Sequence, residues 1–463
     1  MVVVELLRLF RQPSLLCLPV SIARATIRSR LDLAMCSSRS SSNSTSSASA
    51  RLHEVPVNFT NYRLVSAQIE RPQAFAMVQT LSRLGELDLW SAMPSSDNGT
   101  VLFSVGPERF ASIWSALRAS PGVVATHVVE QDLQKLINDE RSTFAYAGEQ
   151  QLVDRVLNLR QFESYAQIVT SIGYYANSAD RSTRVQSFVI GQSVEGRDIV
   201  GIRISNSLES KPIVFVECGT HAREWAAIGA CLYMIDQLAT NQDTHKDLLD
   251  RFEFHIVPSV NPDGYEHTRN VNRIWRKNRR PHRSGWFPLA ACAGVDLNRN
   301  FKAGPHCGVG TDRRPCSDVF CGPEPFSEPE TASLRDYVSA IKDSVEYYIS
   351  LHAYGLMWMF PYSHTRTHSL HYNELLAKAK IGADAIRSKT GAEYATGPIA
   401  ETIYAVTGSS VDWSYMEMGI TKSFVIEVQP PQRLLSRGFL LPASQIISVG
   451  EETFTGLKAM WLS

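Results

Sequence analysis

Gly219-Thr220-His221-Ala222-Arg223-Glu224-Trp225 is the stretch on which the reading of this 463-residue chain turns. Before it runs Pro212-Ile213-Val214-Phe215-Val216, a β-branched run that reads as a buried strand. After it, Trp225 to Ala239 reads as a helix whose apolar face carries Ile228, Leu232, Ile235 and Leu238. His221 and Glu224 therefore sit where a strand hands over to a helix, the carboxyl edge at which α/β sheets place their ligands. In a helix start, three-residue spacing puts both side chains on one face, where an imidazole and a carboxylate share a metal ion. A lone His-x-x-Glu is short and common, and a helix-start Glu beside an incidental His is its default reading. The rest of the chain has to supply the rest of a site.

His352 is the third ligand candidate. It closes the apolar run Tyr348-Ile349-Ser350-Leu351, so it also sits at a strand end. His, Glu and His form a three-ligand zinc set with a fourth position open for water; alone, a strand-end His is more often a satisfied core residue. Glu427 interrupts the apolar run Phe424-Val425-Ile426-Glu427-Val428. A lone carboxylate there is costly unless paired or functional, and beside a metal-bound water it would serve as the base; a structural ion pair is the plainer option. Asn298 and Arg299 in Asp296-Leu297-Asn298-Arg299-Asn300 offer an amide beside a guanidinium, which binds carboxylates through two parallel hydrogen bonds. Arg276 opens a basic run, Arg276-Lys277-Asn278-Arg279-Arg280, too short in a neutral chain for a nucleic-acid patch, and a solvated loop is the default reading for Arg279 and Arg280. Tyr404, ahead of the Gly408-Ser409-Ser410 turn, is by itself an ordinary aromatic.

Composition bounds the surroundings. The chain is 44% hydrophobic and 20% charged with a formal net charge of zero, ordinary for a globular protein and without global pull toward nucleic acid or anionic membrane. No apolar run reaches membrane-spanning length. Residues 1–55 differ from the rest. Ser14 to Ile22 follows Arg8 and Arg11 like a signal-peptide core, further arginines and the serine-rich Ser37 to Ser49 resemble a transit sequence, and a misassigned start codon is the third reading. Residues 56–150 hold a strand-helix-strand-strand-helix-strand order, the ferredoxin-like α+β arrangement, ending in a helix from Asp132 to Arg141; a connector from 142 to about 160 follows, with Arg141, Arg155 and Arg160 along it. Residues 151–463 read as one large α/β domain. Of eight cysteines, Cys292, Cys307, Cys316 and Cys321 crowd a Gly/Pro-rich loop. That implies disulfides and an oxidising compartment; a structural zinc site is the rival, though without a Cys-x-x-Cys pair. Cys218 and Cys231 read as buried thiols.

Taken together these stretches resemble the zinc metallocarboxypeptidases of the pancreatic A/B type, as a pro-enzyme. The shared motifs are Thr220-His221-Ala222-Arg223-Glu224-Trp225, Asn261-Pro262-Asp263-Gly264-Tyr265, Asn272-Arg273-Ile274-Trp275-Arg276-Lys277, Gly294 to Phe301, Leu351-His352-Ala353-Tyr354, Thr402-Ile403-Tyr404, Val411-Asp412-Trp413-Ser414-Tyr415 and Gly438 to Ile447. They span nearly all of 160–463, and each is weak alone. The resemblance implies an α/β catalytic domain, a mixed sheet flanked by helices, preceded by a ferredoxin-like inhibitory pro-segment that includes Leu87-Asp88-Leu89-Trp90. It implies one zinc ion on His221, Glu224 and His352, the family's known ligand set. Glu427 would be general base and acid, and Arg276 would polarise the scissile carbonyl. Asn298, Arg299 and Tyr404 would hold the substrate's terminal carboxylate, with Arg223 a secondary contact. It also implies a Cys292–Cys316 disulfide; Cys307 and Cys321 have no such counterpart.

The expected function is a secreted exopeptidase zymogen, opened by a trypsin-like protease and acting on peptides with a free C-terminus. The position now held by Val411 lies at the base of the family's side-chain pocket, where basic-specific members place an acid; with Val425, Ile399 and Met359 also apolar, release of apolar or aromatic C-terminal residues is expected. A non-catalytic binding protein on this fold would have lost a ligand or the base. An amidase acting inside chains would not need Asn298, Arg299 and Tyr404.

Overall fold

Two β-sheets organise the chain in the computed structural model, which describes residues 54–91, 99–147, 157–178, 184–284, 287–288, 292–428 and 437–463. The reading of residues 1–53 and of Arg155 falls outside them. The first sheet contains β1 (Arg63–Ile69), β2 (Asp88–Leu89), β3 (Gly99–Val105) and β4 (Val123–Glu130), antiparallel in the order β2-β3-β1-β4. That is the expected ferredoxin-like order. Helices Pro72–Arg83 and Pro107–Ala119 each begin with proline, whose missing N–H costs nothing in a first turn. They bury Phe75, Val78, Ile113 and Leu117 against Val65, Ala67, Val101 and Phe103 of the sheet.

The helix that closes this domain is Leu133–Ala147, so it runs on into the stretch read as connector. Arg141 lies inside the helix, its guanidinium donating to the carbonyl of Arg269 at 3.2 Å. A helical, partly engaged backbone is a poor protease substrate, whereas Arg160 is exposed in a turn beyond it.

The large sheet contains β5 (Arg184–Gln192), β6 (Asp198–Ser205), β7 (Ile213–Cys218) and β8 (Glu253–Val257). After a two-stranded ribbon, β9 (Arg283–Ser284) with β10 (Phe287–Pro288), come β11 (Val345–Ala353), β12 (Met357–Phe360), β13 (Ala395–Pro398) and β14 (Lys422–Val428). The order is β13-β12-β14-β11-β7-β8-β6-β5. The central four strands, β14-β11-β7-β8, are parallel, while β6 and β5 on one side and β12 on the other join antiparallel, so the sheet is mixed.

Strand alternation sorts the side chains onto two faces. Val214, Val216, Ile349, Leu351, Phe424 and Ile426 point into a core closed by helices Trp225–Thr240, Tyr372–Thr390 and Ile446–Leu462. Phe215, Tyr348 and Val425 point the other way, into a second core with Leu297, Phe301 and Trp413. Glu217, Ser350, His352 and Glu427 fall on this second face by the same alternation. Register sets their neighbours: Glu217 lies opposite Ser350, and His352 opposite Glu427.

Candidate active site

The turn after β7 places the first two ligand candidates. Gly219 turns the chain with φ of +65°, in a spot where a Cβ would press on Ile228 and Ser259. Glu224 precedes the helix Trp225–Thr240, and its side chain caps nothing; its carboxylate instead faces two imidazoles. Glu224 Oε1 lies 2.8 Å from His221 Nδ1, and Glu224 Oε2 lies 2.9 Å from His352 Nδ1. The two Nδ1 atoms are 3.0 Å apart, and all three residues are buried. Two nitrogens and a carboxylate oxygen converging in a buried spot fit a zinc ion by donor chemistry. The far nitrogen of His221, Nε2, is 3.1 Å from Asp296 Oδ1, the carboxylate-behind-histidine contact that orients a ligating ring. Burial opposes charge on Glu224, but His221 and His352 hold its carboxyl well below the usual carboxylate range.

The remaining expected residues gather around the same cavity, which is lined by Arg223, Arg276, Asn298, Arg299, Tyr404, Val411 and Glu427 together with the triad. Arg276 donates to Asp296 Oδ2 through Nε at 3.1 Å and Nη2 at 2.9 Å, and its Nη1 stands 3.7 Å from Glu224 Oε1. Asp296 thus bridges His221 and Arg276, a role the sequence reading missed. Its signal was a carboxylate between Val295 and Leu297 in a stretch already singled out. Arg299 donates to the Tyr404 hydroxyl at 3.1 Å, and Asn298 Oδ1 accepts from the Ser410 backbone N–H at 3.0 Å. Burial, reinforced by the charge of Glu224, pushes Glu427 up to about 7. Beyond these polar groups Met359, Ile399, Val406, Val411 and Val425 line the cavity, and Val411 is only 2% exposed.

The small domain meets this cavity through β2. Leu89, Trp90 and Ser91 join its lining. Arg223 does not face an empty mouth: it donates to Asp88 at 3.1 and 3.2 Å and to the Leu89 carbonyl at 3.2 Å. Trp90 packs on Phe439 with ring centroids 5.3 Å apart, and a Cβ at Gly438 would lie 2.6 Å from the Trp90 ring. Deeper in the same interface, Arg273 donates to Glu140 at 2.6 and 3.0 Å.

Three disulfides brace the large domain among the described residues. Cys292–Cys316 is the expected pair, and Cys307 joins Cys321, closing the loop that carries Asp312 to Phe320. Cys218 and Cys231, read from sequence as buried thiols, are bonded to each other. The helix after β7 folds back along its own strand, bringing the two Cα atoms to 6.6 Å. A cysteine ending a strand and another in the second turn of the next helix was the available signal.

A family model described as zinc carboxypeptidase matches residues 174–456. Carboxypeptidase B of Rattus norvegicus is 32% identical over 415 residues, covering 88% of this chain and 95% of the relative. Mast cell carboxypeptidase A of the same species is 30% identical over 410 residues, covering 87% and 94%. Among solved structures, carboxypeptidase A from Helicoverpa armigera superposes with a TM-score of 0.76 at 27% identity, covering 87% of this chain and 97% of that one. Thrombin activatable fibrinolysis inhibitor gives 0.74 at 28%, covering 87% and 98%. With a buried His221–Glu224–His352 triad at the edge of a mixed sheet, and a match across most of the large domain, the chain belongs to the zinc carboxypeptidase family.

Proposed function

We propose that this metallocarboxypeptidase is a secreted zymogen that, once trimmed, releases apolar or aromatic residues from free peptide C-termini. One observation carries the reading: the Asn298–Arg299–Tyr404 group opens onto the same cavity as the His221–Glu224–His352 triad, and the space beyond is apolar. A zinc ion on the triad would supply a Lewis acid and an acidified water. Arg299, with Asn298 and the Tyr404 hydroxyl, binds the terminal carboxylate and so sets which bond is presented. Arg276, already oriented by Asp296, donates to the scissile carbonyl oxygen as negative charge develops there. Glu427, poised near neutrality by burial, takes a proton from the attacking water and delivers it to the departing amine. Val411, Val425, Ile399 and Met359 offer no counter-charge to a C-terminal Lys or Arg, whose head group would be desolvated without compensation.

Residues 56–150 act in this proposal as the inhibitory segment. Trp90 and the Asp88–Arg223 pair occupy the approach that a peptide would use. Arg160, exposed beyond the closing helix, suits a trypsin-like activator better than Arg141. The three disulfides support an oxidising, extracellular destination, and among the described residues no helix is long and apolar enough to cross a membrane.

The test is limited trypsin treatment with mass measurement of the fragments. It is followed by kcat/KM on blocked dipeptides ending in Phe, Leu and Arg, and on a Phe carboxamide. The expected outcome is activity that appears on trimming, favours Phe or Leu over Arg and needs the free carboxylate. Full activity in the verified intact chain would refute the zymogen reading, and Arg matching both apolar residues would refute the specificity.

A further inference from the structure

Glu217 has no part in the chemistry above, yet it is a carboxylate with no measurable exposure, four residues before His221 on β7. A buried polar group of this kind demands partners. Those it has are hydroxyls. Thr220 Oγ1 donates to Oε2 at 2.7 Å, Ser410 Oγ donates to Oε1 at 3.1 Å, and Ser350 Oγ donates to Oε1. The three donors come from three separate pieces of the site: Thr220 precedes ligand His221, Ser350 lies two residues before ligand His352, and Ser410 begins the helix Ser410–Met416 that carries Val411.

The Ser410 connection is the informative one. The backbone N–H of Ser410 donates to Asn298 Oδ1 at 3.0 Å, which fixes the amide's orientation. With the oxygen occupied, Nδ2 is the end left toward the site, and it lies 3.5 Å from His352 Nε2. An amide so turned presents donors, and a carboxylate needs donors. Rotated by half a turn, the same amide would present its oxygen to the carboxylate and repel it.

We propose that Glu217 is a positioning residue for the substrate's terminal carboxylate: through the Ser410 hydroxyl it holds the Ser410 backbone where it locks Asn298 with its NH2 group toward the cavity. This rests on the assignment of Asn298 to carboxylate binding made above. Acceptor capacity matters to the device, because the Glu217 carboxyl group accepts at both oxygens whereas a glutamine accepts at one end and donates at the other. In Glu217→Gln one of the two ends must therefore present N–H groups to hydroxyls now placed as donors. Relaxation of Ser350 or Ser410 follows, and with it loss of the fixed Asn298 orientation.

The experiment uses the full chain treated with trypsin, fragments left together, as wild type, Glu217→Gln, Ser410→Ala and the double variant. Two quantities are read: KM and kcat for a blocked dipeptide ending in Phe, and the Kd of blocked phenylalanine on the protein stripped of metal, which isolates carboxylate binding from metal chemistry. Glu217→Gln is expected to raise KM and Kd by about tenfold, the worth of roughly one hydrogen bond to a charged group, with kcat within about threefold of wild type. Ser410→Ala, which keeps its backbone N–H, is expected to give a smaller rise in the same two quantities, and the double variant less than the product of the two effects. Unchanged Kd and KM in Ser410→Ala would overturn the proposal, even if Glu217→Gln fails to fold. So would a Glu217→Gln enzyme that loses kcat or thermal stability with Kd intact. A wild-type protein that does not bind blocked phenylalanine would instead refute the carboxylate assignment itself.

Discussion

Glu140→Gln is the sharpest perturbation of the proposed inhibition, because it leaves the large domain's own residues untouched. Glu140 and Arg273 are 0% and 1% exposed at their side chains and share two hydrogen bonds, at 2.6 and 3.0 Å. Burial lifts the Glu140 carboxyl above its ordinary range, and Arg273 draws it back. The guanidinium is otherwise held by the carbonyls of Arg223 and Phe439 and by the Trp225 ring beneath it at 3.8 Å. Losing the carboxylate therefore leaves a positive charge buried in place. Breaking such a pair from one side costs about 3–5 kcal/mol. Taking the lower figure, at 1.4 kcal/mol per tenfold, the small domain opens about a hundredfold more often. The assay is peptide release by the intact chain, verified by mass and expressed as a fraction of the same protein after complete trimming. That fraction should rise up to about a hundredfold in Glu140→Gln, while the trimmed enzymes agree. An intact variant no more active than intact wild type would refute the reasoning, since the buried pair would then contribute nothing to closure.

Glu427→Gln should retain its zinc and its circular dichroism spectrum yet lose about a hundred- to ten-thousand-fold in kcat, the usual cost of a missing general base; near-normal turnover would remove Glu427 from the mechanism. Val411→Asp places a carboxylate at the pocket wall, and the ratio of kcat/KM for Arg-ending to Phe-ending substrates should rise by at least about tenfold. An unchanged ratio would show that Val411 does not face the substrate side chain. Glu330 supplies a pH test away from the site. Burial, with Glu328 beside it, raises its carboxyl from 4.5 to about 7 against the Val194 N–H and Asn278 amide that favour ionisation. The folded chain then keeps a proton that the unfolded chain has released, so this group's contribution to stability is full below the lower value and falls as pH rises toward the upper one, by up to about 3 kcal/mol. Urea melts at pH 5 and pH 8 should show a smaller difference in Glu330→Gln than in wild type; equal differences would place the folded-state pKa elsewhere.

Much of this architecture was legible because the residues of the proposed site also break local patterns. His352 and Glu427 are conspicuous as polar groups closing or interrupting apolar strands, and His221 with Glu224 marks a strand-to-helix junction. Proline at the start of Pro72–Arg83 and Pro107–Ala119 fixed two boundaries. What escaped was non-local. The Cys218–Cys231 bond depends on how closely a helix folds back on its strand, and periodicity carries no such distance. Asp296 and Glu217 each interrupt an apolar stretch, but the partners that tie them to the site, Arg276 and Ser410, lie 20 and 193 residues away, and no local pattern names them. β12 and β13, four residues each, are too short for alternation to reveal. The closing helix of the small domain overran its expected end because Ser142-Thr143-Phe144-Ala145 contains neither Gly nor Pro to stop it.

The pairing of His352 with Glu427 on adjacent strands has a consequence for how far this protein tolerates redesign. The two residues occupy one rung of a parallel ladder, so the backbone separation between the proposed proton carrier and the proposed ligand is the interstrand spacing of about 4.8 Å. The backbone hydrogen bonds of the ladder maintain that spacing. Two rungs away, Val425 lies opposite Ser350 on β11 and Met359 on β12 and lines the same cavity. The cavity wall can therefore be resized residue by residue while the proposed reacting pair keeps its backbone separation, much as a lathe accepts new tools without moving its spindle.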